Sequence, residues 1–124
     1  MKSLISIIIP CKNGEKYIEE TILAIKKQNM NTEIIVIDDG SIDNTANIAE
    51  ILGSKVIQHE TSKGPVVAKN SGLRAANGDF IMFHDADDVM NDNVLSILYK
   101  ELESNSDISA VMAKVKDFFS LDLS

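Results

Sequence analysis

The sequence lacks the features that mark secreted and membrane-spanning proteins. Cys11 is its only cysteine, which excludes an internal disulfide, so we expect a cytoplasmic protein with a buried, unreactive thiol. No apolar run approaches the roughly 18 residues of a membrane span, and the stretch from Leu4 to Ile9 is too short for a signal peptide. Peripheral attachment of a longer parent protein to a membrane stays open.

Basic residues are also scarce, with 12 lysines and arginines against 19 acidic residues. The net charge of -7 argues against nucleic acid as a partner, because binding to its backbone needs clustered cations. A small anionic ligand can still bind if a cation bridges it to the protein. The chain has 124 residues, 44% of them hydrophobic, so we expect residues 1–124 to form a single domain.

Short apolar runs alternate with helical periodicity along the chain. The runs predict five strands: Leu4–Ile9, Glu33–Ile37, Lys55–Gln58, Phe80–Phe83 and Ile108–Val115. The periodic segments predict four helices whose apolar residues belong to the core: Ile18, Ile22 and Ile25; Ile48, Ile51 and Leu52; Val66 and Val67; Val94, Leu95, Leu98 and Leu102. This order predicts an α/β fold, a mostly parallel sheet flanked by helices on both faces.

Helix starts are predicted from polar residues that can accept a hydrogen bond from the first turn. Ser41 or Asp43 is the expected N-cap of the second helix, and Asn91 or Asp92 that of the fourth. Pro65 suits the first position of the third helix.

Polar clusters follow three of the predicted strands. They are Lys12-Asn13 after the first, Asp38-Asp39 after the second, and Asp85, Asp87 and Asp88 after the fourth. Because ligands bind at the carboxyl ends of parallel strands, we expect these clusters to converge on one edge of the sheet.

The acidic segment from Asp85 to Asp88 places three carboxylates within four residues. Three neighbouring carboxylates repel one another unless a counter-charge lies among them, and their hard oxygens suit Mg²⁺ or Mn²⁺. A divalent cation would also let an acidic pocket accept a diphosphate. The alternative interpretation is a solvated turn with a helix-capping aspartate.

Other polar residues carry weaker signals. Asp38-Asp39-Gly40-Ser41 is typical of a turn, although a carboxylate there can accept hydrogen bonds from an imide N–H or ribose hydroxyls. The helix start at Gly64-Pro65, with Lys63 and Lys69 nearby, suits a phosphate, but most helix starts bind nothing. His59 and His84 belong to no recognisable metal-binding pattern.

Taken together, these segments resemble the family 2 glycosyltransferases of the GT-A fold, whose nucleotide-binding half is Rossmann-like. The resemblance covers roughly residues 3 to 95 and rests on these pieces, in this order: Ser6–Asn13, Gln28, Glu33–Ser41 with Asp43 and Thr45, Gly64–Gly72, and Gly78–Asp88.

The resemblance implies a donor site for a nucleotide sugar, with UDP as the expected nucleotide. Its expected residues are Pro10, Cys11, Lys12 and Asn13 in the nucleoside pocket, Asp39 with Asp38 at the base, Lys69 near the base or phosphates, and Asp85-Ala86-Asp87 as the DxD motif. Asp85 would contact the ribose or sugar, Asp87 would bind Mn²⁺ or Mg²⁺, and Asp88 is a second candidate ligand.

Two residues depart from the family pattern. Lys12 stands where an aromatic residue is common, and Lys69 stands where the family usually has arginine, so the bidentate fork of an arginine is lost. The donor affinity or the nucleotide preference is therefore expected to differ.

The resemblance also implies inverting transfer to a glycan or lipid-linked acceptor by a carboxylate general base. That base is expected beyond Ser124, so we expect this chain to bind donor with little transfer. A surface left open by the missing part would favour self-association into a homo-oligomer.

Two other functions are alternatives. A receiver-type phosphoacceptor domain needs an acidic pair after the first strand and an aspartate after the third, where this chain has Pro10–Asn13 and His59-Glu60-Thr61. A noncatalytic nucleotide-sugar-binding module is the second alternative. A dinucleotide fold is disfavoured because no Gly-x-Gly-x-x-Gly follows the first strand.

Overall fold

A computed structural model describes residues 3–104 of the chain as an α/β fold. Its strands are β1 (Ile5–Cys11), β2 (Thr32–Asp39), β3 (Lys55–His59) and β4 (Phe80–Phe83). Its helices are α1 (Ile18–Lys26), α2 (Thr45–Ile51), α3 (Pro65–Ala75) and α4 (Val94–Ser104). The predicted strand Ile108–Val115 lies outside the described residues. No helix within residues 3–104 is long and apolar enough to cross a membrane.

The four strands form one parallel sheet in the order β3-β2-β1-β4. β1 lies between β2 and β4, with Cys11 opposite Asp38 and Ile8 opposite Phe83. Its side chains Ile7, Ile8 and Ile9 are fully buried, as an apolar central strand of a parallel sheet requires. The register therefore brings the carboxyl ends of β2, β1 and β4 side by side.

Helices cover both faces of this sheet, which confirms the predicted fold class. On one face, residues of α1, α2 and α4 pack with Ile5, Ile7 and Ile9 of β1. On the other face, Ala68 of α3 packs with Ile8, Ile35 and Ile37. A side chain on Gly72 would place its Cβ 2.4 Å from Ile8 Cγ2, so the missing side chain allows α3 to lie close to the sheet.

The prediction that Val66 and Val67 belong to the core is wrong. Their exposed fractions are 71% and 38%, because α3 meets the sheet through the small residues Ala68 and Gly72, one helical turn apart. Val66 lies two residues before Ala68 and therefore on nearly the opposite side of the helix. The same prediction fails for Ile51, which is 78% exposed because α2 buries Ala46 and Ala49 instead.

The predicted helix caps also need correction. Asn44 occupies the N-cap position of α2, while the Asp43 side chain accepts a hydrogen bond from Thr45 N at 3.0 Å. Neither Asn91 nor Asp92 caps α4, because that helix begins at Val94. A side chain distant in sequence serves its first turn instead: Gln28 Oε1 accepts a hydrogen bond from Leu95 N at 3.2 Å.

Candidate functional site at the carboxyl end of the sheet

The ends of β1 and β2 are joined by hydrogen bonds of their following loops. Asn13 N donates to Ser41 Oγ at 2.7 Å, and Ile42 N donates to Asn13 Oδ1 at 2.9 Å. Asn13 has a φ of 53°, a left-handed conformation that asparagine tolerates better than most residues. The predicted nucleoside-pocket segment Pro10–Asn13 therefore lies directly beside the loop that follows Asp38 and Asp39.

Asp39 is buried at the end of β2 and accepts four hydrogen bonds from residues 59–64. The donors are His59 Nδ1 at 2.9 Å, Ser62 Oγ at 2.9 Å, Lys63 N at 2.8 Å and Gly64 N at 3.0 Å. Burial alone would raise the pKa of this carboxyl group, but the four donors outweigh burial and hold the pKa well below its usual range. Asp39 is therefore an ionised group that organises the loop before α3.

Asp38 is also buried, with an exposed fraction of 3%, and its Oδ1 accepts a hydrogen bond from Ser41 N at 3.0 Å. Cys11 lies opposite Asp38 in the sheet and is buried, as the sequence predicts. Burial raises the pKa of the Cys11 thiol to about 12, with further increases from Asp38, Asp43 and Asp87. The Cys11 thiol therefore stays protonated at neutral pH.

The Asp85–Asp88 loop follows β4 on the other side of β1. His84 N donates to Ile8 O at 2.9 Å, so the chain stays beside β1 after the strand ends. Thr21 Oγ1 of α1 donates to Ala86 O at 2.6 Å, and Ala86 is itself buried. Anchoring Ala86 in this way leaves its neighbours Asp85 and Asp87 exposed to solvent.

The three carboxylates of this loop fit a divalent cation. Asp85, Asp87 and Asp88 can each offer an oxygen such that all three atoms lie within 4.8 Å of one another. Burial, followed by the charges of Asp85 and Asp87, raises the pKa of Asp88. Among the described residues no lysine or arginine forms an ion pair with these groups, so a hard cation would relieve their repulsion.

Neither histidine is placed as a member of this carboxylate group. His84 Nε2 lies 2.8 Å from Asp88 O and can donate to that carbonyl, while His59 lies beside Asp39. The contact between His59 and Asp39 could not be predicted from the sequence, because it depends on the register of β3 against β2.

The cationic residues near the site are exposed. Lys69 Nζ lies 5.7 Å from the centre of the Phe83 ring, which places this cation beside the end of β4. Lys12 is exposed after β1. The backbone N–H groups of Lys63 and Gly64, which lie at and just before the helix start that the sequence suggested for a phosphate, donate to Asp39.

Comparison with known proteins places this geometry in one family. The model of glycosyl transferase family 2 matches residues 6–121. Glycosyltransferase GlyG of Streptococcus pneumoniae serotype 4 is 36% identical over 115 residues, which cover 87% of this chain and 38% of that protein. TarS of Staphylococcus aureus, a poly(ribitol-phosphate) β-N-acetylglucosaminyltransferase, is 41% identical over 98 residues, 73% of this chain and 17% of that protein.

Solved structures agree with the sequence comparison. The crystal structure of TarS 1-349 has a TM-score of 0.77 and 36% identity, covering 86% of this chain and 33% of that one. Glucosyl-3-phosphoglycerate synthase of Mycobacterium tuberculosis, in complex with Mn²⁺, UDP and phosphoglyceric acid, has a TM-score of 0.68 and 27% identity. Here the match covers 82% of this chain and 39% of that one. These neighbours have the GT-A fold, and the chain spans less than two fifths of their length.

Proposed function

This chain belongs to glycosyl transferase family 2, and we propose that it binds a UDP-linked sugar through a divalent cation held by Asp87 and Asp88. The observation that carries the proposal is the juxtaposition of two acidic groups at one end of the sheet. Asp38 and Asp39 end β2, and Asp85–Asp88 follow β4, with only β1 between them. The Mn²⁺ and UDP in the complex of the mycobacterial synthase support the same pairing of metal and nucleotide.

We propose a separate role in donor binding for each segment of the site. Pro10–Asn13 would line the nucleoside pocket, and Asp39, with Asp38 beside it, would face the base. Asp85 would contact the ribose or sugar, with Ala86 holding the loop in place through Thr21. Lys69 would add positive charge near the phosphates from its exposed position on α3.

The cation, Mn²⁺ or Mg²⁺, would neutralise negative charge on the nucleoside diphosphate as it leaves the sugar. Asp87 and Asp88 would hold it, with Asp85 beside them. In the whole protein we propose inverting transfer, in which an acceptor hydroxyl loses its proton to a carboxylate base and attacks the anomeric carbon. We place that base beyond Ser124 and expect this chain by itself to bind donor with little transfer.

For the acceptor we propose a glycan or a lipid-linked saccharide. The name of TarS specifies a polymeric acceptor, poly(ribitol-phosphate), which supports a polymer rather than a small molecule as the acceptor. The family match favours the glycosyltransferase over the receiver-type alternative. A noncatalytic nucleotide-sugar-binding module would share the donor site and differ only in lacking transfer.

Calorimetric titration with UDP and UDP-sugars, with Mn²⁺ present or removed by EDTA, tests the proposal. We expect binding with Mn²⁺, and a loss of at least about tenfold in affinity on chelation or in Asp87→Asn. Asp92→Asn, an exposed aspartate outside the carboxylate group, is the matched control and should leave binding unchanged.

Two results would count against the proposal in different ways. Binding that is unaffected by chelation would reject the metal bridge while leaving the nucleotide site in place. A chain that binds neither UDP-sugars nor GDP-sugars would not be a donor-binding unit.

A further inference from the structure

His59 forms a connection behind Asp39 that the proposed donor site does not use. It is the last residue of β3 and lies opposite Asp39 in the sheet. Its Nδ1 is 2.9 Å from Asp39 Oδ1, its Nε2 is 3.1 Å from Ser71 Oγ, and its side chain is only 9% exposed. One imidazole ring thus joins the ends of β2 and β3 to the middle of α3.

The direction of these hydrogen bonds follows from the state of Asp39. Four donors keep the pKa of Asp39 low, so its carboxylate is ionised and can only accept. His59 Nδ1 must therefore carry a proton and donate it to Asp39 Oδ1. In a neutral ring Nε2 is then an acceptor, which the Ser71 hydroxyl satisfies by donating. The two contacts fix both the tautomer and the plane of the ring.

Asp39 in turn holds the backbone that leads into α3. Its two oxygens accept from Lys63 N and Gly64 N, so a rotation of the carboxylate would release the start of that helix. Gly64 has a φ of 93°, a left-handed conformation that glycine adopts without steric cost. Ser71 lies on the same helix, α3, and contacts the other ring nitrogen of His59.

We propose that His59 is a positioning residue of the donor site. It fixes the Asp39 carboxylate, and through Asp39 the Lys63–Gly64 backbone, in the orientation that receives the base of the nucleotide. This inference rests on the proposed donor-binding function, because it assumes that Asp39 faces the base.

The same residue types in the same order form the relay of serine hydrolases, but the surroundings of Ser71 do not suit a nucleophile. Such a site needs N–H donors aimed at a developing oxyanion beside the serine. Ser71 is the seventh residue of the eleven-residue helix α3, where backbone N–H groups are used by the helix itself. The connection therefore orients Asp39 and does not activate Ser71.

Amide hydrogen exchange in the free protein tests the positioning step without any ligand. His59→Phe keeps a planar ring but removes both nitrogens, whereas the amide of Asn in His59→Asn can still donate to Asp39. We expect the Lys63 and Gly64 amides to exchange about tenfold faster or more in His59→Phe and near the wild-type rate in His59→Asn. Gln58→Ala, in the neighbouring exposed position of β3, is the control.

The exchange experiment separates a local effect from general loosening. The amide of Ile35 in the buried middle of β2 reports on the whole fold and should keep its rate. Unchanged protection of Lys63 and Gly64 in His59→Phe would overturn the proposal, and so would an equal increase at Ile35.

Titration with two ligands tests the link to the base. In the presence of Mn²⁺, we expect His59→Phe to bind UDP about tenfold more weakly than the wild type does. Inorganic pyrophosphate has no base, so its affinity should be the same for the variant and the wild type. Equal losses for both ligands would overturn the positioning role toward the base. If the wild-type chain binds pyrophosphate but not UDP, or neither, the proposed donor function fails, while amide exchange still decides whether His59 fixes the loop.

Discussion

The two acidic groups at the carboxyl end of the sheet differ in what surrounds their carboxylates. Asp39 is buried among four donors from its own chain, and its pKa is lowered. Asp85 and Asp87 are exposed. Burial of Asp88, together with the charges of these two neighbours, raises the pKa of Asp88. The first group is stabilised by the fold itself, whereas the second group gains stability only from a charge that comes from outside.

Because of this difference, the aspartates of the two groups have different roles. A carboxylate that already accepts four hydrogen bonds contributes shape and orientation, because its removal leaves buried donors without partners. Carboxylates that repel one another contribute affinity for a cation. Substitutions that remove charge should therefore have opposite effects on stability in the two groups.

The largest effect is expected for Asp39→Asn. The substituted amide turns a donor toward N–H groups that need an acceptor, so the free energy of unfolding should fall by about 3 kcal/mol. Asp87→Asn, the matched change in the exposed group, should alter it by less than about 0.5 kcal/mol or increase it. Urea unfolding of both variants without metal provides the measurement, and equal losses would abolish the distinction between the groups.

A smaller effect is expected in the dependence of stability on pH. The lowered pKa of Asp39 means that its contribution is present above the unfolded pKa of about 3.9 and is lost as pH falls below that value. The raised pKa of Asp88 acts in the opposite direction: its contribution is present below about pH 3.9 and is lost as pH rises through the folded pKa.

Urea unfolding from pH 3 to 7 can separate these two contributions. The difference between wild type and Asp39→Asn should shrink by about 1 kcal/mol as the pH falls below about 4. The stability of the wild type relative to Asp88→Asn should fall as the pH rises just above about 4. In the presence of Mn²⁺ this relative stability should rise with pH instead, because the metal favours the ionised form of Asp88. A pH profile of Asp88→Asn that matches wild type with and without Mn²⁺ would contradict the assignment.

Much of the fold, and the position of the two acidic groups at one edge of the sheet, could be predicted from local patterns. Apolar runs such as Ile7–Ile9 predict strands buried on both faces, and short connections through helices make the sheet parallel. The carboxyl ends of parallel strands meet at one edge of the sheet, where ligands bind, so Asp38 and Asp87 are predicted to lie at the same edge. These inferences use only the order of the elements, which the sequence carries directly.

The features that the sequence did not predict depend on contacts between distant residues. The four donors to Asp39 lie 20 to 25 positions along the chain, and two of them are backbone groups that any residue could supply. The exposure of Val66 has a similar cause, because the face that α3 buries is chosen by the close approach at Gly72 rather than by its most apolar residues. Hydrophobic periodicity therefore misidentified this face.

The smallest effect is expected for Lys69→Ala. This substitution tests whether a cation on α3 contributes to ligand binding beside the exposed acidic group. Lys69 is exposed and lies beside Phe83 at the end of β4, so it can attract phosphates only through solvent and should contribute about threefold to UDP affinity. The contribution should disappear in high salt, which screens exposed charges. Arg74→Ala removes another exposed cation from the last turn of the same helix and should leave the affinity unchanged. Equal losses in both variants would mean that only net charge matters, and the end of β4 would then hold its ligand through the carboxylate group alone.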